Sequence, residues 1–533
     1  MKRLILLLCL LLIFGQAGAA TKITQSHETS WYVNGTPYAV KTDAIAAAKA
    51  AALANPGVTE QLWPPPYDYV AQSDNPPPPP PGLTWLTGFQ VLTPNMTGFP
   101  PAVGGSITDV PTGATSIRLA DAKALGAPGN TLKAMYSQFP IDSYNHAYTF
   151  WEDTNGNVWL RTTATGAIKP LMDASGHAIT ENRSPRWDYS GSAPTTLYYT
   201  DMTRKLYAQD VATGKETVVH DFSDLIAKYA PANGIFMDGH ADTDNGSRYF
   251  PIQILCFDPS GGSWYPLAFA VYDRQTDKVI GVIDSTSVPA GTDDMKNKPP
   301  HPLGDIHSAP FTIDRSGKYA IVQWQRPNDG WNANLENTTR DGAHAYAFSA
   351  SGIDVAGGKR INPDGPTHGV SLIGSDGHSY WVDQNNETDW FEAVDLAVGI
   401  PPRAQDSNPS ASQSIKIVNM GTLGWDVQVH FSAPRQPGNF VGMFFDAATN
   451  NGVGGNQFFV FSLKAGANPL RLGPSWHTNP GKGQSGDNYD DQNYGTFAQD
   501  GSAIYYASNG GDDSASRDPY MLPLPSGWQA HIP

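Results

Sequence analysis

Four histidines recur at one position of a repeated segment, and their side chains could bind a metal or transfer protons. His240, His307, His368 and His430 each stand near the start of a unit that reads strand, polar turn, strand. If such units surround a common axis, imidazoles at one repeat position converge, which is what a divalent metal or a proton-transfer site needs. The other interpretation is that each histidine hydrogen-bonds a neighbouring unit and has no further role.

Two further residues extend the set of candidate metal ligands. Gln428 and His430 alternate along one predicted strand, so both side chains share a face and could bind one metal or simply line a polar channel. His477 lies in WHTNPGKGQSGDNYDDQNYGT, which could cover the site, bind calcium through its carboxylates or be an ordinary solvated loop. The candidate metal ligands are thus His307, His368, Gln428, His430 and His477. Manganese and calcium are the metals considered.

A second group of residues could act as acid, base or carboxylate partner. His146 lies between Tyr144 and Tyr148, and Arg186 and Arg248 are the basic residues best placed to meet an acidic ligand. The alternatives are an aromatic-packed core position for the histidine and a role in bracing adjacent units for the arginines. The chain has no GxSxG elbow, P-loop or dinucleotide-binding glycine motif, which excludes the enzyme classes built on them.

Short strands separated by DG, NG, SG or TG turns occupy the chain from about Gly104 onward. About seven such units can be aligned, and their starts fall near His146, Arg186, His240, His307, His368, His430 and Tyr494. The later starts are about sixty residues apart, longer than the forty to forty-five residues of common propeller repeats. Radial repetition of four-stranded sheets fits this pattern, so we predict an all-β protein with a seven-bladed β-propeller.

Three segments precede the propeller. MKRLILLLCLLLIFGQAGAA has the basic start, short apolar run and small-residue cleavage pattern of a secretory signal peptide over 1–19. Residues 20–75 read as a small N-terminal α/β appendage, with a hairpin around Asn34-Gly35 and an alanine-rich helix that starts at Thr42 or Asp43. A proline-rich linker over 76–82 should be a stiff spacer, and the propeller is assigned to 83–533.

Composition limits the possible partners. The net charge of −16 argues against nucleic acid, and it also disfavours an anionic polysaccharide unless a local basic or metal site offsets it. No segment after the leader is long and apolar enough to span a membrane. Cleavage of the leader would remove Cys9 and leave Cys256 alone, so no intrachain disulfide is expected. We therefore expect a secreted or periplasmic protein whose stability comes from core burial.

Several segments resemble one group of known proteins. YSQ at 136–138, DVATGKETVVHDFSD, GHADTDNGSRY, THGVSLIGSDG and VQVHFS are together similar to large bacterial seven-bladed propellers that include oligogalacturonate lyases and one class of ulvan lyases. The resemblance covers about 104–509. It implies β-elimination on uronic-acid polysaccharides, in which a base removes the C5 proton, a metal or basic side chains neutralise the carboxylate, and an acid protonates the leaving oxygen.

The resemblance also implies roles for particular residues. In the oligogalacturonate lyases three histidines and a glutamine hold manganese, which corresponds here to Gln428 and His430 with two of His307, His368 and His477. The ulvan-type site pairs two histidines with a tyrosine and an arginine, which gives His146, His240, Arg248 and Tyr249 as candidate catalytic residues. This chain departs from both patterns, because only Gln-Val-His stands where a denser cluster is expected and no second histidine follows His146 in its blade.

Two functions remain open from the sequence. The first is a polysaccharide lyase acting on a uronic-acid-containing glycan. The second is a non-catalytic propeller that binds a glycan or protein at the cell surface or in an extracellular assembly, because the fold alone does not decide function. Convergence of the repeated histidines in one funnel would favour the lyase.

Overall fold

A computed structural model describes residues 21–25, 31–33, 36–38, 60–61, 83–85, 96–258, 263–284, 287, 308–324, 342–363, 368–385, 390–401, 413–419, 427–447, 457–465, 467–476, 495–510 and 517–532. The expected signal peptide, the proline-rich linker and the alanine-rich helix lie outside these residues. Within them, no helix combines the length and apolarity that crossing a bilayer would require.

The N-terminal residues form a small separate sheet with the order β3-β2-β1-β4. Its strands are β1 (Thr21–Gln25), β2 (Trp31–Val33), β3 (Thr36–Tyr38) and β4 (Glu60–Gln61). Val33 pairs with Thr36 in antiparallel register, so β2 and β3 are the two arms of the predicted hairpin, whose connecting residues lie outside the described ones.

Seven sheets follow in chain order among the described residues, and each is one blade of the propeller. Blade 1 contains β8 (Tyr148–Glu152), β9 (Val158–Thr162) and β10 (Ile168–Pro170); blade 2 contains β11 (Arg186–Trp187), β12 (Thr196–Thr200), β13 (Lys205–Asp210) and β14 (Lys215–Asp221). Blade 3 contains β15 (Gly234–Phe236), β16 (Tyr249–Asp258), β17 (Ser263–Asp273) and β18 (Lys278–Asp284); blade 4 contains β19 (Ser308–Ile313), β20 (Tyr319–Trp324), β21 (Ala343–Ser349), β22 (Gly352–Ile353) and β23 (Lys359–Asn362).

The last three blades complete the ring and take in strands from the start of the propeller. Blade 5 contains β24 (Val370–Ile373), β25 (Ser379–Asn385), β26 (Trp390–Asp395) and β27 (Ile415–Asn419). Blade 6 contains β28 (Val427–Ser432), β29 (Phe440–Ala447), β30 (Gln457–Ser462) and β31 (Leu470–Pro474), with β5 (Thr84–Trp85) at its edge. Blade 7 contains β32 (Thr496–Phe497), β33 (Ala503–Ser508) and β34 (Asp518–Pro523), extended by β7 (Thr115–Arg118) and β6 (Ser106–Thr108).

Helical structure is sparse and lies in the connections. The α-helix α1 (Ser223–Lys228) follows blade 2, and 3-10 helices span Pro128–Asn130, Glu181–Arg183 and Trp528–His531. This is the all-β architecture that the turn-rich sequence predicts, and the seven-bladed prediction is confirmed.

Aromatic side chains pack between successive blades and form a large part of the core. Ring pairs cross the seams at centroid distances of 5.1 to 6.2 Å: Phe150 with Trp187, Tyr198 with Phe250, Phe269 with Phe311, Phe391 with Phe431, Phe444 with Phe497, and Trp151 with Tyr505. All of these side chains are buried. Burial of this much aromatic surface keeps the blades in fixed relative positions, which is what a site built from several blades requires.

Aspartates order the turn that follows several inner strands. In the DRSG turn, Asp314 accepts hydrogen bonds from the backbone N–H groups of Ser316 at 2.9 Å and Lys318 at 2.8 Å, and Gly317 takes a left-handed φ of +69°. Asp244 does the same one blade earlier, accepting from Gly246 and Arg248. We call this end of the blades the turn face.

Blade 1 begins earlier than the sequence pattern indicates. Its innermost strand is an irregular stretch, residues 132–143, that bridges to β8 only near its ends, at Lys133 with Glu152 and Asp142 with Thr149. His146 lies after this stretch, in the turn that leads into β8. The predicted start near His146 is therefore displaced by about one strand, because an inner segment with two isolated bridges lacks the alternating pattern of a regular strand.

Candidate functional site

The inner segment of blade 1, residues 132–143, is buried along its whole length and reaches the other side of the ring. The Gln138 side chain donates from Nε2 to the Gly369 carbonyl of blade 5 at 3.0 Å. Two residues earlier, Tyr136 contacts histidines of three other blades. This segment therefore brings a phenol into the centre of the propeller.

Three of the repeated histidines meet around Tyr136. The ring centroid of Tyr136 lies 4.1 Å from that of His240, 5.9 Å from that of His368 and 5.8 Å from that of His430, with the phenol edge-on to each imidazole. The rings of His368 and His430 stack at 5.0 Å with an interplanar angle of 10°. We call these four residues the histidine cluster.

The partners of two imidazoles determine which ring nitrogen carries the proton. Nδ1 of His240 lies 2.9 Å from Oδ1 of Asp238, and Nδ1 of His368 lies 3.2 Å from the Val429 carbonyl. Because both partners are acceptors, Nδ1 is the donor in each ring, and Nε2 of the neutral imidazole keeps a lone pair. The cluster therefore offers two Nε2 atoms able to accept a proton or bind a metal.

Burial differs across the cluster and defines its accessible side. His430 is fully buried and Tyr136 is 5% exposed, whereas the His240 side chain is 31% exposed. Burial lowers the pKa of His368, the Val429 carbonyl opposes this effect, and the charge of His240 adds to it. A ligand would reach the cluster from the side of His240 and find a neutral imidazole at His368 at neutral pH.

The residues present meet part of the requirement for a metal centre. Within the described ranges no group of three or more His, Cys, Asp and Glu side chains could hold a metal ion. His307 and His477 lie outside those ranges. Gln428 is on β28, two residues before His430, and the structure describes its backbone but not its side chain. The donor chemistry of His368 and Gln428 fits a divalent ion, and His240 with Asp238 has the carboxylate–imidazole pairing common around metals.

Three buried arginines donate to backbone segments that carry or adjoin members of the histidine cluster. Arg186 in blade 2 donates to the carbonyls of Gly239 and Ala241, on either side of His240, at 3.0 and 2.7 Å. Arg186 thus braces the adjacent blade, which is the alternative role considered for it from the sequence. Arg315 of blade 4 donates to the Gln138 carbonyl of blade 1, and Arg435 of blade 6 donates to the Thr243 carbonyl of blade 3.

His146 occupies a different environment from the cluster. Its Nδ1 lies 2.6 Å from Oδ2 of the buried Asp142, and its Nε2 lies 3.4 Å from Oδ2 of Asp500 in blade 7. The hydrogen bond to Asp142 raises the pKa of His146, although burial opposes it. The structure therefore places this histidine at the seam between blades 1 and 7, on the turn face.

Arg248 and Tyr249 also lie at the turn face. Arg248 makes a bidentate ion pair with Asp273 at 2.9 and 2.6 Å, and its guanidinium stacks on Tyr249 with 4.8 Å between the guanidinium carbon and the ring centroid. Tyr249 packs edge-on against Phe348 of blade 4. Of the four candidate catalytic residues, His240 is thus the one that the structure brings to the histidine cluster.

Tyr136 and Asp238 are functional candidates that the repeat pattern did not identify. Tyr136 lies in the irregular inner segment, so the strand signature that located the histidines is missing there. Asp238 offered a weak local signal, because an aspartate two residues before a histidine can accept from that residue's backbone N–H, as it does here at 2.8 Å. That signal predicts a turn rather than an oriented imidazole.

Comparison with known proteins gives structural likenesses only. No protein-family model and no curated protein matches the sequence. An oligogalacturonate lyase in complex with manganese is 14% identical, with 80% of this chain and 96% of that chain covered and a TM-score of 0.49. An oligogalacturonate lyase from Vibrio parahaemolyticus is 12% identical, covering 83% of this chain and all of that one, with a TM-score of 0.47.

A mitotic checkpoint complex chain is similar in shape at 9% identity and a TM-score of 0.41. Similarities at this level of identity carry no information about the reaction or ligand of this protein. The fold is assigned from the seven sheets of this chain. The protein is a seven-bladed β-propeller in which three blades contribute histidines that meet around a tyrosine from a fourth.

Proposed function

We propose that this protein is a polysaccharide lyase that cleaves uronic-acid-containing glycans by β-elimination at the histidine cluster. The observation that carries the proposal is the convergence of His240, His368 and His430, from three blades, on Tyr136 of a fourth. A base, an acid and candidate metal ligands are the groups that this reaction needs, and the partly exposed His240 side chain gives access to them.

His240 is the proposed base. Asp238 accepts the Nδ1 proton, which leaves Nε2 to take the proton from C5 of the uronate. The same carboxylate would stabilise the imidazolium formed in that step, as the aspartate does in hydrolytic triads. The lowered pKa of Asp238 keeps it ionised for this purpose, since its hydrogen bond and charge interaction with His240 outweigh the cost of burial.

Tyr136 is the proposed acid. Its ring lies 4.1 Å from that of His240, so a sugar bound over His240 would lie beside the phenol. Transfer of the phenolic proton to the departing glycosidic oxygen would complete the elimination. The fixed inner segment that carries Tyr136 would keep the acid and the base in constant geometry.

His368, His430 and Gln428 are the residues proposed to hold a divalent metal, manganese or calcium, with His307 and His477 as further ligands predicted from the sequence. Such an ion would neutralise the uronate carboxylate and so lower the pKa of the C5 proton. The tautomer of His368, with Nδ1 donating to Val429, supports this role because Nε2 is the atom left for the ion.

An exported location accompanies this proposal. The leader-like residues 1–19 support transfer across a membrane. The glycan would then be met in the periplasm or outside the cell.

The test is an ultraviolet assay of the unsaturated uronide product on pectate, oligogalacturonate, ulvan, alginate and glucuronan, with and without Mn²⁺ or Ca²⁺. Activity on one of these substrates should be abolished in His240→Ala. His177→Ala is the matched control, because the His177 side chain is 80% exposed and lies in blade 1 away from the cluster. A flat trace for the folded wild-type protein with every substrate and metal would refute the lyase and leave the glycan-binding propeller.

A further inference from the structure

Three buried guanidinium groups hold the segments that carry the histidine cluster. Arg186 is fully buried and donates to the carbonyls of Asp238, Gly239 and Ala241, together with that of Pro185. These carbonyls surround His240. The positive charge of Arg186 therefore lies directly beside the backbone of the proposed base.

Arg315 makes a similar set of contacts from blade 4. It donates from Nη2 to the Gln138 carbonyl at 3.1 Å and from Nη1 to the carbonyls of Ala433 at 2.7 Å and Pro434. Gln138 is two residues from Tyr136, and Ala433 is three residues from His430. This guanidinium therefore joins the segments that supply the phenol and the most buried imidazole.

Arg435 completes the group from blade 6. Its guanidinium pairs with Asp242 and donates to the Thr243 carbonyl at 2.8 Å, and its carbon lies 3.5 Å from the centroid of the buried Tyr189 ring. We call Arg186, Arg315 and Arg435 the arginine floor. Asp242 is the carboxylate that pairs directly with it.

The charge of this floor is only partly compensated. The hydrogen bonds of Arg186 and Arg315 go to carbonyls, which offset a full positive charge less than a carboxylate does. Burial lowers the pKa of Arg186 to about 10 and that of Arg315 to about 9, which marks the cost of keeping charge there. Both groups nevertheless remain protonated at neutral pH.

We propose that the arginine floor makes the histidine cluster selective for ligands that carry a carboxylate, through the positive potential of buried guanidinium groups that do not touch the ligand. The ligand class named here rests on the proposed function. Arg186 and Arg315 are buried, so solvent screens their field little, and it acts locally against the repulsion expected from a net charge of −16. The arginines are positioning and selectivity residues, and the ligand-contacting groups remain those of the histidine cluster.

Asp242→Asn is the variant that tests this mechanism while keeping the oxygen that accepts hydrogen bonds. Oδ1 of Asp242 accepts from Arg435 and from the Thr243 backbone N–H, whereas Oδ2 is buried with no hydrogen-bond partner among the described residues. Asparagine keeps the accepting oxygen and removes the negative charge, at a cost in stability because the pair with Arg435 is buried. The potential at the histidine cluster should then rise, and binding of an acidic ligand should tighten by about tenfold.

The probe is D-galacturonate measured against its methyl ester by ligand-observed NMR, since neither has a glycosidic bond to be consumed. The wild-type protein should bind the acid more tightly than the ester, and Asp242→Asn should increase this ratio. Arg435→Lys, which keeps the charge, should preserve the ratio even where stability falls. Asp224→Asn is the control, because it removes an exposed carboxylate on α1 and should change nothing.

Each outcome has a defined meaning. A higher acid-to-ester ratio in Asp242→Asn alone supports the arginine floor, because structural damage would weaken binding rather than tighten it. Equal affinity of the wild type for acid and ester, failure to bind the acid, or an unchanged ratio in Asp242→Asn overturns the inference. Acid-selective binding with no unsaturated product from any substrate would refute the lyase and leave the selectivity intact.

Discussion

The ion pair that closes the ring should be among the most important single contributions to stability. Asp518 on β34 accepts from Nε and Nη2 of Arg118 on β7 at 2.9 and 2.6 Å, and from the Ala122 backbone N–H at 2.8 Å. The two side chains are 10% and 3% exposed, so solvent screens the pair little. Asp518→Asn removes this charge and leaves Arg118 with the more exposed Asp121, whose Oδ2 lies 3.1 Å from Nη2. Breaking a buried pair costs about 3–5 kcal/mol, and the contact with Asp121 places the expected loss at the lower end of that range.

Urea unfolding followed by tryptophan fluorescence measures this cost, and limited proteolysis shows whether the N-terminal strands separate from blade 7. The control is Asp221→Asn, which breaks the pair with Arg204 inside blade 2, where the two side chains are 41% and 56% exposed. We expect that control to lose only about 1 kcal/mol because of solvent screening. Equal losses in the two variants, or a loss below about 0.5 kcal/mol in Asp518→Asn, would contradict the importance assigned to closure.

Three other perturbations have defined outcomes. The hydrogen bond to Asp142 raises the pKa of His146, so the protonated imidazole stabilises the fold fully below the ordinary histidine pKa. This stabilisation disappears as the pH rises through the raised pKa of His146. Urea titrations across that pH range should show a fall in the free energy of unfolding of the wild type and none in His146→Asn. Gly442→Ala should lower the free energy of unfolding by about 1–3 kcal/mol in the same assay, because the new Cβ would lie 2.5 Å from the buried ring of Phe497. An unchanged free energy of unfolding would mean that the interface between blades 6 and 7 repacks around the added methyl group. Tyr136→Phe should reduce elimination by about 10²-fold or more if the phenol is the acid, and an unchanged rate would exclude that role.

The repeated histidines show what the sequence could predict. His368 precedes the inner strand of its blade, His430 lies within one and His240 follows β15, yet the three rings meet around Tyr136 because repeated units in a ring bring their inner segments to one axis. Arg248 and Tyr249 follow the inner segment of blade 3, so they lie at the turn face. His146 follows the inner segment of blade 1 and also lies at the turn face.

Tyr136 and the arginine floor could not be predicted for a different reason. Tyr136 lies in a segment with two isolated bridges to its neighbouring strand, and its contacts are with residues more than a hundred positions away. The residues that a long side chain such as that of Arg315 contacts depend on the width of the closed ring. The local sequence pattern around Arg315 carries no information about that width. Only the assembled propeller shows that its guanidinium reaches the Gln138 carbonyl, 177 residues distant in the chain.

The closure of blade 7 also constrains how the protein folds. Strand β34 pairs with β7, and the ion pair between them joins residues 400 positions apart. Blade 7 cannot be completed until β34 has been synthesised, so any earlier intermediate has an exposed strand edge at β7, and at β33 once that strand has formed. Contacts this distant in sequence make folding slow, and the open ring is the species in which pairing between different chains competes with correct closure.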